Sequence, residues 1–357
     1  MNRIVILINR FMYALLISAY ITIANAAPTV VENPSAYRAE KVKATEIFVD
    51  TNKLKSERIK AYPRLGYPDE KTFERLVQIG LDKNEDDQIR LLALQRARYD
   101  LKYFDAVLKI LDDVNDGGEL LNAGLINDIS RRTTFRHSAE IRQRLQHALR
   151  DRLKDTRAQV RLAAYYALVP THDVVSISNL VESLRTGNNI PIPIHNAIEL
   201  LDVDGSAKHI VTIRPYLNNQ DPKIQAQAAR ALAIDAKSRK QIIALVTNLE
   251  SPQVVRENAI RALAREDEEF FSYALKLLSN KGNSPDIRLA TMRASMGRIN
   301  YHKVSSQLQV TFTRVVKNLS EEKGLKTQKG VDLTAEARHL FLHMRKRVPA
   351  VRKSIGG

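Results

Sequence analysis

The sequence predicts an all-α solenoid of two-helix repeats, and three observations carry that prediction. A phrase recurs: Val160-Arg161-Leu162-Ala163-Ala164-Tyr165-Tyr166-Ala167-Leu168 returns as Ile224-Gln225-Ala226-Gln227-Ala228-Ala229-Arg230-Ala231-Leu232, and again as Val255-Arg256-Glu257-Asn258-Ala259-Ile260-Arg261-Ala262-Leu263. The branched residue that opens it stands at Ile89, Val160, Ile224, Val255 and Ile287, with weaker occurrences near Leu121 and Pro193. Successive spacings of 32, 39, 33, 31, 31 and 32 residues suit a helix pair. Helix-starting residues precede each clear occurrence: Asp86-Asp87, Asp155-Thr156, Asp221-Pro222, Ser251-Pro252 and Ser284-Pro285-Asp286. An N-cap Asp or Ser takes up an orphan backbone N–H, and proline at the first helical position lacks only an N–H that the helix leaves unused. Stacked units of this kind bury together a face that none could bury alone.

Taken in order, the first 26 residues predict an export signal. Arg3 and Arg10 make the start basic, residues 11–23 are apolar, and Ala24-Asn25-Ala26 is a small-x-small cleavage pattern with Ala27 as the first mature residue. Residues 11–24 are 14 in number, short of the ~20 that span a bilayer. No later segment is apolar enough to span, so no integral membrane segment is expected in the mature chain. Residues 27–48 are expected to form a lead-in, extended through 28–35 with its two prolines. Residues 37–62 are charged and helical in pattern, with Leu54 and Ile59 expected to be buried.

From Pro68 the helical period is regular, with Phe73, Leu76, Val77, Gly80 and Leu81 on one stripe. Between the recurring phrases lie second amphipathic segments at 174–184, 210–217, 242–249 and 270–278. Alanine at the fourth place after the opening residue (Ala93, Ala164, Ala197, Ala228, Ala259) predicts close helix contact. Residues 321–357 are expected to be a polar loop, a capping helix over 334–347 and a basic tail.

Residues 155–168, 221–232, 251–263 and 284–294 carry the pattern Asp-Pro-x-Ile/Val-Arg-x-x-Ala-Ala-x-Ala-Leu well. They resemble HEAT repeats, in particular the short class of about 30 residues also found in phycobilin lyases. The resemblance implies a right-handed α-α superhelical solenoid over residues 49–320. The unit at Pro193 departs from the pattern and implies a displaced helix start; the unit at Leu121 is weak, after a loop marked by Gly117-Gly118. In such repeats the Arg after the opening residue ladders to the capping Asp of a neighbouring unit. That gives Arg90, Arg161, Arg256 and Arg288 a structural role.

The 357 residues contain no cysteine, which excludes disulfides, thiolate metal sites and cysteine nucleophiles. No Gly-rich phosphate cradle, G-x-S-x-G elbow or H-E-x-x-H is present. Residues 82–89 imitate an EF-hand start, but Asp87 stands where the loop needs glycine and Ala93 where it needs a closing Glu. Asp202-Val203-Asp204-Gly205 fails similarly, and its glycine is expected to end a helix. Glu336, His339 and His343 share a helical face, yet Arg338, Arg345, Lys346 and Arg347 crowd that helix and disfavour a cation. No metal, cofactor or catalytic group is expected.

The charge of +16, from 56 basic and 40 acidic residues, favours anionic partners. From Arg314 onward eleven basic residues face four acidic ones. The sixth place after the opening residue, on the concave face implied by the resemblance, is filled by Gln95, Tyr166, Glu199, Arg230, Arg261 and Arg293. Arg230, Arg261 and Arg293 are therefore the expected partner-binding column, with Tyr166 as aromatic surface beside it and the terminal helix as its extension. The expected function is a non-enzymatic periplasmic or secreted adaptor that binds a protein partner of the cell envelope. The alternative is a binder of a polyanion, nucleic acid or an anionic envelope polymer, whose affinity would fall steeply with salt. An enzyme would need a convergent acid–base cluster, and the sequence shows none.

Overall fold

The computed structural model describes residues 34–97, 100–132, 139–264, 267–296, 304–322 and 324–347. The export signal, Ala27 and residues 28–33 lie outside the described residues. Two compact units divide the chain, Met1–Leu125 and Ile126–Gly357. Among the described residues regular structure is helical, apart from one bridge between Lys326 and Asp332. No helix there is long and apolar enough to cross a membrane.

The first unit contains α1 (Pro34–Val49), α2 (Lys55–Ala61), α3 (Glu70–Leu81), α4 (Asp87–Arg96), α5 (Leu101–Asp112) and the first turns of α6 (Glu119–Arg132). The lead-in expected over 27–48 is corrected here, because α1 begins at Pro34 and belongs to the core. Ala44 and Phe48, one helical turn apart, pack with Ala61, Leu65, Leu76, Ile79, Ile89 and Ala93. Leu54 is also corrected: it is the N-cap of α2, off the helical face, and is exposed. Ala61 takes the buried place on α2, and Ile59 is half-buried against the cluster. On α3, Phe73, Leu76 and Gly80 are buried. A Cβ at Gly80 would lie 2.4 Å from Leu94 Cγ, so glycine is what lets α4 approach α3.

The second unit contains α7 (Ala139–Asp151), α8 (Ala158–Leu168), α9 (Val174–Thr186), α10 (Ile194–Ile213) and α11 (Pro222–Ala231). It continues with α12 (Arg239–Thr247), α13 (Gln253–Leu263), α14 (Asp267–Ser279), α15 (Pro285–Met296), α16 (Ser306–Glu321) and α17 (Leu333–Arg347). Helices α10, α11, α13, α15 and α17 pack side by side in that order. Their close approach follows from alanine: Ala164, Ala197, Ala228 and Ala259 have no exposed surface, and neither has Ala93 in the first unit. Pro193 is the N-cap of α10, so Ile192 is buried where other units bury their opening residue. Gly205, at φ 125°, breaks α10 as expected, but the helix resumes without a loop and runs on to Ile213. The terminal helix α17 buries Leu333, Ala337, Leu340 and Met344 at helical spacing.

The turns between successive helix pairs share one device. An Asp or Asn side-chain oxygen accepts the backbone N–H two residues on, at Asp50, Asp82, Asp113, Asn219, Asn248 and Asn280, over 2.9–3.0 Å. This turn chemistry bends the chain locally and leaves the next helix free to start. Among the described residues each unit is thus an all-α array of packed helix pairs.

Candidate partner-binding face

Two sets of arginines separate by burial. The inner set staples successive helix pairs together inside each unit. Arg90 is buried, donates Nε–H to the Gly80 carbonyl at 3.0 Å, and meets Asp116 through Nη2 at 2.7 Å. Arg256 repeats this, with Nε–H to the Val246 carbonyl at 3.1 Å and Nη2–H to the Asn283 side chain. Each carbonyl lies ten residues upstream. Arg58 follows the same rule, donating to the Phe48 carbonyl at 2.8 Å and to Glu85 at 2.6 Å. Sequence reasoning missed Arg58, although Arg58/Ala61 repeats the Arg-x-x-Ala spacing of Arg90/Ala93 and Arg256/Ala259.

The expected ladder to capping aspartates is corrected in detail. Asp116 and Asn283 lie in the turn before the next helix rather than at its N-cap. Arg288 donates to the Asn280 carbonyl at 3.3 Å and reaches Glu322 at 3.4 Å. Arg161 instead donates to three carbonyls, of Pro191 at 3.0 Å, Asp155 at 2.6 Å and Thr156 at 2.8 Å. The displaced start of α10 after Pro193 leaves Arg161 these carbonyls in place of a carboxylate.

The outer set is the predicted column. Arg230, Arg261 and Arg293 are exposed at equivalent places on α11, α13 and α15, which are packed neighbours. With axes about 8–10 Å apart, three such places span roughly 20 Å. Each arginine has a carboxylate: Asp202 at 3.8 Å from Arg230, Glu257 at 3.5 Å from Arg261, and Glu336 at 2.8 Å from Arg293. The expected extension of the basic column by the terminal helix is therefore corrected, because α17 meets Arg293 with Glu336, an acid.

Tyr166 opens the other end of the row. Its hydroxyl donates to Glu199 on α10 at 2.7 Å and accepts from Asn196 Nδ2 at 2.9 Å. Burial, with the Glu199 carboxylate adding to it, pushes the Tyr166 phenol up to about 12. The row thus runs Tyr166, Glu199, Arg230, Arg261, Arg293, Glu336: three cations bracketed by acids.

The near-miss metal motifs are occupied by the protein's own donors. Asp82 and Asp86 accept backbone N–H groups of their turn and helix start, Asp86 also takes Lys55 Nζ at 2.8 Å, and Asp87 accepts from Gly118 N–H. Glu336 is held by Arg293, and His339 on the same helix is exposed. Among the described residues no group of three His, Asp or Glu side chains converges as a metal site.

No family model matches the chain, and no curated protein matches it. Among solved structures, it is similar to the complex of CpcE and CpcF of phycocyanin lyase from Nostoc sp. PCC7120. The identity is 18%, over 78% of this chain and 97% of that one, with a TM-score of 0.38.

Proposed function

We propose that the chain is an exported, non-enzymatic adaptor that binds a protein partner along the row Tyr166, Arg230, Arg261 and Arg293. The observation that carries this reading is the bracketing of the three arginines. A cationic stretch of roughly 20 Å, closed by Glu199 at one end and Glu336 at the other, suits an acidic patch on a folded protein. A long polyanion would meet Glu199 and Glu336 at the ends of the row, where a partner's compact acidic patch would not. Carboxylates at 3.5 and 3.8 Å from Arg261 and Arg230 are loosely held, so a partner's acids can replace them at small loss, as for exposed ion pairs generally. Export rests on the basic start, the short apolar run and Ala24-Asn25-Ala26; N-terminal sequencing of the secreted protein should begin at Ala27, and a retained Met1 would refute it.

The test of the binding face is reversal of all three arginines to glutamate. The variant should keep its helical circular dichroism and melting temperature. It should bind the partner isolated from its own envelope more weakly, mostly through slower association. Binding equal to the parent at low salt would remove the row as the site. A polyanion binder would instead show log affinity falling linearly and steeply with log salt for the parent.

A further inference from the structure

Three aspartates mark one edge of the second unit at a fixed interval. Asp173, Asp204 and Asp235 follow one another every 31 residues, and each is nearly excluded from solvent. Asp173 accepts Arg150 Nε–H at 2.9 Å and Nη2–H at 2.6 Å, with Gln146 adding a bond at 2.7 Å. Asp235 accepts Arg214 Nε–H at 2.9 Å and Nη2–H at 3.0 Å. The two arginines stand 23 and 21 residues upstream of their aspartates. Between those distances upstream of Asp204 stands Glu182, and the nearby Arg185 pairs with Glu182 instead. Asp204 is held by two imidazoles: His172 Nδ1 is 2.6 Å from Oδ1 and His209 Nε2 is 2.8 Å from Oδ2.

A guanidinium keeps its proton at every pH a folded protein meets, whereas an imidazole changes charge between about pH 5 and 8. We propose that His172–Asp204–His209 is a proton-sensitive link in an otherwise permanent Arg–Asp edge, and that it tightens as the pH falls into the mildly acidic range. The link joins two backbone points that need holding. His172 sits in the left-handed region at φ 59°, and Gly205, beside Asp204, breaks α10 at φ 125°. His172 has 65% of its side chain exposed, whereas His209 lies within.

The surrounding charges are accounted for. Lys208 Nζ is 3.6 Å from Asp204. Asp173, next to His172, is taken by Arg150; Asp235 is taken by Arg214 at the end of α10; Asp202 faces Arg230, and Glu199 faces Tyr166. Burial pushes the Asp204 carboxyl up, but the hydrogen bonds from His172 and His209 outweigh it and carry it below the ordinary carboxylate range. Asp204 is therefore the ionised partner of both bonds, and a proton added to either imidazole turns a neutral hydrogen bond into a charge-assisted one, about twice as strong. The carboxylate's own contribution is present above the ordinary value of about 3.9 and is lost only as the pH falls through the lower folded value, beneath this window.

Hydrogen exchange of the full chain reads the link directly, as protection of backbone amides in 172–176 and 206–213 corrected for intrinsic rates. Protection in the parent should rise about threefold from pH 8 to about pH 5.5. Asp204→Asn and His172→Gln should abolish the rise, while Asp173→Asn and Asp235→Asn, whose partners are arginines, should keep it. A flat parent, or a rise that survives Asp204→Asn, overturns the proposal. Should Asp204→Asn not fold, the exposed replacement His172→Gln decides: a rise that persists in it is equally fatal.

Discussion

Arg90 Nη2 lies 2.7 Å from Asp116 across 26 residues of chain, with both side chains at most 4% exposed, so that the turn after α5 is pinned to α4, one helix further back. Removing the arginine would leave Asp116 buried and unpaired. Arg90→Met should destabilise the fold by about 3–5 kcal/mol. The matching change Arg256→Met strands only neutral acceptors, the Val246 carbonyl and the Asn283 side chain, whose amide already donates to the Leu277 carbonyl at 2.9 Å. Its cost should be about 1–3 kcal/mol. Urea denaturation of both variants measures the difference, and equal losses would refute the role assigned to the Asp116 charge.

The alanines set the spacing of the helices. Ala228 and Ala259 have no exposed surface, on the neighbouring helices α11 and α13. Leucine at either place should overpack and cost about 1–3 kcal/mol, read as a lower urea midpoint. An unchanged midpoint in both would show that the helices have room that the structure denies.

Acid stability should follow Asp235. The hydrogen bonds from Arg214 hold its carboxyl down at about 2, with burial opposing them. A depressed carboxylate stabilises the fold above its unfolded value and loses that contribution as the pH falls through the folded value. The gap in unfolding free energy between the parent and Asp235→Asn should therefore be constant from about pH 7 to 5 and shrink between about pH 4 and 2. A gap that persists at about pH 2 would mean that the pair acts by shape and not by charge.

The bracket around the arginine row makes its own prediction. Glu336→Lys removes the acid 2.8 Å from Arg293 and adds a cation at that end. Association with an acidic partner should become faster at low salt, and its salt dependence steeper. An unchanged association rate would place the partner elsewhere.

What the sequence determined by itself rests on neighbours within a turn or two, though not at every helix start: Arg157 and Pro252, rather than Asp155 and Ser251, stand at the N-caps of α8 and α13. Asp86 and Asp221 cap the helices they were expected to cap, and Pro222 stands at the first turn of α11. Alanine at the fourth place is buried wherever it was read, and Gly205 interrupts α10. These effects act over three or four residues of one helix, so spacing alone reveals them. The helical pattern from residue 37 was legible, but its place in the core was not, because only Ala44 and Phe48 of that charged stretch are buried. The tertiary structure decided which charges meet. Arg293 and Glu336 are 43 residues apart, His172 and Asp204 are 32, and Arg58 and Glu85 are 27. A Coulomb contact depends on lateral stacking and side-chain reach, which the repeat period constrains only to a few residues. The sequence therefore shows a column of arginines, while the packed helices show that each one already faces an acid.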